Sequence, residues 1–113
     1  MNKFVYTLIK TIKISSSHYL NLNHNSKDCN LHGHNYIIKV FCRSESLNED
    51  GMVCDCSKIK NAVVEAFDHR ELNKLIPQPT MEKIAKYVFD LSGDKCFKVE
   101  ITETENNKAV YEK

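Results

Sequence analysis

The hydrophobic period of this chain changes twice, and that change restricts its fold more than any other feature. Over residues 3–14 apolar and polar residues alternate in a stretch rich in Val, Ile, Thr, Tyr and Phe, and a second such run is Tyr36-Ile37-Ile38-Lys39-Val40-Phe41-Cys42. Side chains on an extended backbone repeat direction every two residues, so both runs read as strands with one face to bury. Asn48-Glu49-Asp50-Gly51 then supplies a turn. Behind a cap at Asp55 or Ser57, Ile59, Val63, Ala66 and Phe67 fall at helical spacing. Ile76-Pro77-Gln78-Pro79 excludes helix, and Thr80 can cap a second one whose stripe is Met81, Ile84, Ala85, Val88 and Leu91. Ser92-Gly93-Asp94 ends that helix, Phe97, Val99 and Ile101 alternate in a third strand, and Ala109-Val110-Tyr111 offers a short fourth. The order is ββααββ. Strands and helices that do not alternate along the chain favour the α+β class, an antiparallel sheet with its helices on one face.

Length and charge limit what such a layer can do. The 113 residues make one domain, 1–113. A domain of this size buries roughly two-thirds of its unfolded surface, enough for one modest core, so a site shared between subunits is expected. Sixteen basic and fifteen acidic residues leave a net charge of +1 with no basic block, which excludes a phosphate-backbone footprint and hence nucleic acid as partner. Apolar runs such as Ala62-Val63-Val64 are too short to span a membrane, and the first ten residues lack a signal-peptide pattern. The five cysteines (Cys29, Cys42, Cys54, Cys56 and Cys96) are odd in number and irregularly spaced, which argues for reduced thiols and a cytoplasmic protein.

The chemistry concentrates in Cys29-Asn30-Leu31-His32-Gly33-His34-Asn35-Tyr36. On an extended chain His32 and His34 project to the same face, and two imidazoles on one face suit zinc, which favours nitrogen ligands in a tetrahedral shell. The best third ligand is His18, after Ser15-Ser16-Ser17 at the end of the first strand. Three protein ligands leave one position for water or substrate. The same three histidines with Cys29 would instead close a four-ligand structural site, and the residues alone leave both arrangements open. His24 lies in a polar loop and is read as solvated; Cys54 and Cys56 are read as ordinary packing. Asp68-His69 is either a polar helix end or an acid–base pair in which the carboxylate orients the ring. Glu103 shares strand parity with Phe97, Val99 and Ile101, so it extends an apolar face where an unpaired charge is costly. Either a guanidine-like ligand edge satisfies it through paired hydrogen bonds, or the strand frays and Glu103 reaches water.

Six landmarks in order resemble the 6-pyruvoyl-tetrahydropterin synthase family, which includes 6-carboxy-tetrahydropterin synthase of the queuosine pathway. They are His18; Cys29 before His32-Gly33-His34-Asn35-Tyr36; Gly51-Met52-Val53-x-Asp55; Asp68-His69-x-x-Leu72-Asn73; Pro79-Thr80-x-Glu82; and Glu103-Thr104. The resemblance implies the tunnelling fold, whose subunits join their sheets into barrels, commonly trimers stacked as hexamers, with sites between subunits. It implies a lyase acting on 7,8-dihydroneopterin triphosphate, with zinc on His18, His32 and His34. It further implies that Cys29 moves protons at the side-chain carbons and that Asp68 and His69 form a second proton-transfer unit. Glu103 would grip the aminopyrimidinone edge, assisted by Thr80. Two residues separate Cys29 from His32, where the queuosine-pathway members usually have three and the animal-type pyruvoyl enzymes more; the usual aromatic after Asp55 is here Cys56. The compact chain favours 6-carboxy-5,6,7,8-tetrahydropterin as product. The alternatives are a 6-pyruvoyl product, a 6-hydroxymethyl-dihydropterin for folate synthesis, or a non-catalytic zinc or pterin binding module.

Overall fold

The computed structural model describes residues 4–104 and 106–113. β1 (Tyr6–His18) and β2 (His32–Ser44) form one uninterrupted antiparallel ladder, from Tyr6 opposite Ser44 to His18 opposite His32. Next come α1 (Cys56–Phe67) and α2 (Met81–Leu91), then β3 (Cys96–Glu103) and β4 (Asn107–Glu112). The sheet order is β1-β2-β3-β4, with every neighbouring pair antiparallel. This is the ββααββ layer that the hydrophobic periods require.

The helices begin where their caps allow. Asp55 caps α1, its Oδ1 accepting from the backbone N–H groups of Ser57 and Lys58 at 3.0 and 3.4 Å. Thr80 caps α2 by accepting from the Lys83 N–H at 3.3 Å. Such a side-chain cap stabilises a helix by about 1 kcal/mol. Ile59, Val63 and Phe67 of α1, with Ile84, Ala85 and Val88 of α2, bury against one face of the sheet. That face carries Ile12, Ile14, Ile38, Val40, Val99 and Ile101. Along β2 it also carries His32, His34 and Tyr36, which share the even positions with Ile38 and Val40.

Three details differ from the sequence reading. The first strand runs on to His18 and the second starts at His32, because the polar residues there are held by pairing (Ser15 with Asn35, Ser16 with His34, Ser17 with Gly33) and not by apolar alternation. The expected start of the first strand at Lys3 lies outside the described residues. Phe97 is not on the core face. A register shift sets Phe41 opposite Lys98 but Cys42 opposite Cys96, a β-bulge that turns Phe97 outward. Its ring meets Phe41 at 6.2 Å between centroids, with the Arg43 guanidinium 4.2 Å above it.

Candidate metal centre and its surroundings

The ladder between β1 and β2 ends by placing His18 opposite His32, with His34 two residues further along β2 on the same face. One nitrogen from each of these three histidines lies within 4.8 Å of the others. Their rings meet edge to face, at centroid distances of 4.6–5.2 Å. Among the described residues this is the group of side chains so gathered, and neither Cys29 nor Glu103 belongs to it.

Backbone carbonyls set which nitrogen of each ring is available. His18 Nδ1 donates to the Pro79 carbonyl at 2.9 Å, and His32 Nδ1 donates to the Asn30 carbonyl at 2.6 Å. A ring that gives its Nδ1 proton to a carbonyl keeps its lone pair on Nε2, the arrangement in which metal-binding histidines are oriented. His34 Nε2 is buried with no hydrogen-bond partner. Glu103 Oε1 lies 3.3 Å from it, within ion-pair distance but outside hydrogen-bond geometry. A buried polar atom left unsatisfied costs roughly 1–3 kcal/mol, which coordination of a cation would remove. Burial, reinforced by the neighbouring imidazoles against the opposing pull of the Pro79 carbonyl, lowers the His18 pKa. The ring is thereby kept neutral, the form that binds metal. The donor set, three imidazole nitrogens, fits zinc with one position left for a small ligand.

The Glu103 carboxylate stands beside this cluster, next to His34. It is held in β3 between Tyr36 of β2 and Asn107 of β4, so the strand does not fray there. Tyr36, opposite Glu103 across the ladder, is buried with its hydroxyl 3.5 Å from His18 Nδ1. Burial first, and the Glu103 charge second, push the Tyr36 phenol far up, so it remains a donor at any physiological pH. The sequence motif gives Tyr36 no role of its own; its register opposite Glu103 reveals one. Thr104, immediately after Glu103, has φ of 53°, a left-handed conformation unusual for a β-branched residue.

The remaining candidates sit nearby but apart. Cys29 is exposed on the 3₁₀ turn Lys27–Cys29, its thiol directed at the His24 carbonyl 3.7 Å away. It therefore does not close a four-ligand site with the histidines. His24 itself contacts Asn23 on the exposed loop. That loop is fixed at its start by two side-chain amides from the far side: Asn73 pairs with both backbone groups of Tyr19, and Gln78 with both of Asn21. Asp68 and His69 lie along the outer edge of β1. Asp68 Oδ1 accepts from the Ser15 N–H, His69 N–H donates to the Ser15 carbonyl, and Ser17 N–H donates to the Arg70 carbonyl. His69 has φ of 56° and a side chain 82% exposed, with Nε2 3.7 Å from Asp68 Oδ2. A groove of about 400 Å³ runs along this edge, lined by residues 15–17, 33–35, His69 and Arg70. Thr80 caps α2 next to Pro79, whose carbonyl holds His18.

Known proteins agree with this architecture. A family model described as 6-pyruvoyl tetrahydropterin synthase matches residues 7–113. The 6-pyruvoyl tetrahydrobiopterin synthase of Dictyostelium discoideum is 31% identical across 75% of this chain and 73% of its own. The 6-carboxy-5,6,7,8-tetrahydropterin synthase of Aquifex aeolicus is 32% identical across 76% of each. The solved Caenorhabditis elegans 6-pyruvoyl tetrahydropterin synthase superposes over 96% of both chains with a TM-score of 0.79 at 30% identity.

Proposed function

The chain belongs to the 6-pyruvoyl tetrahydropterin synthase family, and on that premise we propose that it is a zinc-dependent lyase converting 7,8-dihydroneopterin triphosphate to 6-carboxy-5,6,7,8-tetrahydropterin, a step toward queuosine. The observation that carries the metal part of this reading is the convergence of His18, His32 and His34 around the partnerless His34 Nε2. Zinc bound there would bind and acidify the hydroxyls of the substrate side chain.

The chain's own residues then divide the remaining work. Pro79 and Asn30 carbonyls fix the tautomers of His18 and His32, so that their Nε2 lone pairs would be offered to the metal. Glu103 receives the donor edge of the pterin in paired, charge-assisted hydrogen bonds, and Tyr36, its partner across the β2–β3 ladder, keeps a protonated hydroxyl on the same face. The Thr80 hydroxyl accepts one bond as a cap and keeps its proton for the pterin. Cys29, exposed on its turn, takes and returns protons at the side-chain carbons. Asp68 orients His69 as the second proton-transfer unit. His69 stands at the outer edge of β1, so we assign its service to the site of an adjoining subunit in a ring of such sheets, a trimer or a hexamer of stacked trimers.

Near-equal likeness to a 6-pyruvoyl and a 6-carboxy synthase favours pyruvoyl formation as the second reading. Zinc-loaded protein incubated with dihydroneopterin triphosphate, with products identified by mass, separates the two. The carboxy product supports the lead. The pyruvoyl or a hydroxymethyl product replaces it, and no turnover would leave a binding module.

A further inference from the structure

A second group of reactive side chains lies at the other end of β2. Cys42 and Cys96 are each 1% exposed, on the helix-covered face, and are direct partners across β2 and β3. The Arg43 N–H donates to the Lys95 carbonyl at 3.0 Å, just beyond this pair. In an antiparallel ladder that bond flanks residues of the non-hydrogen-bonded kind, whose Cα atoms stand about 4.5 Å apart with side chains close together. Disulfides span Cα separations of about 4.4–6.8 Å, so the register alone brings these two thiols within bonding reach. Cys54 packs partly buried against the same core, close enough to Cys42 to act with Cys96 on its thiol. None of these thiols has a part in the pterin chemistry.

We propose that Cys42 and Cys96 are a site of reversible oxidation, at which a hydroperoxide converts the two thiols to a disulfide that staples β2 to β3. The first step falls to Cys96. The neighbouring Cys42 thiol holds the Cys96 thiol below its ordinary value and favours its thiolate, and the same neighbourhood together with burial pushes the Cys42 thiol up. The Cys96 thiolate attacks the peroxide's terminal oxygen, which breaks the O–O bond and gives a sulfenic acid and an alcohol. The Cys42 sulfur then attacks the Cys96 sulfur, the S–S bond forms, and the hydroxyl leaves as water with the Cys42 proton. Two thiols and one hydroperoxide thus become one disulfide, one alcohol and one water. A groove of about 460 Å³ lined by Cys54, Ser92, Gly93 and Lys95 opens beside this end. It gives a molecule as small as hydrogen peroxide a short way in.

Trypsin places the two thiols on separate peptides, Val40–Arg43 and Cys96–Lys98, and leaves Cys29, Cys54 and Cys56 on others. Full-length protein is treated with hydrogen peroxide, denatured, alkylated and digested without reductant. The expected product joins those two peptides with a loss of two hydrogens, reverts with dithiothreitol, and accompanies a reversible rise in Tm of about 5–15 °C. In Cys42→Ala the Cys96 sulfenic acid has no partner and is trapped by a sulfenate-specific nucleophile. Recovery of Cys42 and Cys96 as alkylated thiols while Cys29 or Cys54 is oxidised overturns the proposal, as does a Cys42–Cys54 link. The wild-type peptide map decides the matter even if the variant does not fold.

Discussion

The two ends of β2 present the same face of the same strand and behave in opposite ways. At Ile38, Val40 and Cys42 every even position is buried at 0–1% exposure under the helices. At His32 and His34 the even positions are only partly covered, and one ring nitrogen is left without a partner. The strand pattern is identical; the cover differs. Over the middle of the strand lie α1 and α2, whose backbone polar groups are bonded within the helices and which offer only side chains, with Cys54 and Ser92 flanking them at the thiol end. Over the histidine end lies irregular chain, the segment through Pro79 and the turn through Asn30, whose free carbonyls reach into the site. Regular structure seals a face, and irregular structure supplies it with polar contacts.

The strongest way to break this contrast is to remove a ligand. His34→Ala should abolish metal binding and turnover together, because two imidazoles do not hold an open zinc site well. The thiol end should stay intact, with Cys42 and Cys96 still slow to alkylate in the folded protein. Metal analysis after dialysis gives the answer, and one zinc per chain in the variant would remove His34 from the site.

Cys29 and Cys42 sharpen the comparison as a pair. Cys29→Ala should lower turnover by roughly a hundredfold or more, the usual effect of losing a proton-transfer group, with zinc content unchanged. Cys42→Ala should leave kcat unchanged and act on stability alone. Near-normal turnover in Cys29→Ala would shift the acid–base work to Asp68 and His69.

Glu103→Gln tests the polar end more gently. It keeps the shape but turns one acceptor oxygen into a donor facing the pterin's own donors. Loss of a charged hydrogen bond is worth about 1.5–3 kcal/mol, a weakening of pterin binding by roughly tenfold to a hundredfold in Kd. Normal binding measured by titration would show that Glu103 is not the anchor.

How much of this was legible differs between the two ends as well. Alternation marks Ile38, Val40, Val99 and Ile101 as core, because burial under a helix selects for apolar side chains. A spacing of two marks His32 and His34 as neighbours, and a strand end marks His18. The limits of both strands are invisible to that pattern, because Ser15, Ser16 and Ser17 carry no hydrophobic period and are held by pairing to β2. The bulge at Phe97 is invisible because one extra residue leaves no trace in composition. The carbonyls of Pro79 and Asn30 were beyond reach for another reason: every residue has one, and only the fold decides which are free. The run of residues 68–71 along the edge of β1 is of the same kind, a backbone match that side chains do not announce.

The smallest expected effect is a pH slope belonging to the histidine end alone. In the folded, metal-free protein His18 has a lowered pKa, chiefly through burial, whereas in the unfolded chain it titrates near the ordinary value of 6.5. Between the two pKa values the unfolded state therefore binds more protons than the folded one, and stability rises with pH there. Above 6.5 this contribution is fully present. As the pH falls from 6.5 toward the lowered pKa it is progressively lost, because unfolding lets the ring take up its proton in water. Urea unfolding of metal-free protein at a series of pH values should show the midpoint declining below 6.5. His18→Gln should flatten that decline, since the amide does not titrate, while Cys42→Ala should lower the midpoint at every pH without changing its slope. Zinc should steepen the dependence, because each proton bound displaces a ligand nitrogen as well. If the metal-free midpoint is flat between pH 6.5 and 5, the His18 ring is solvated in solution, and the contrast between the two ends of β2 is smaller than the structure draws it.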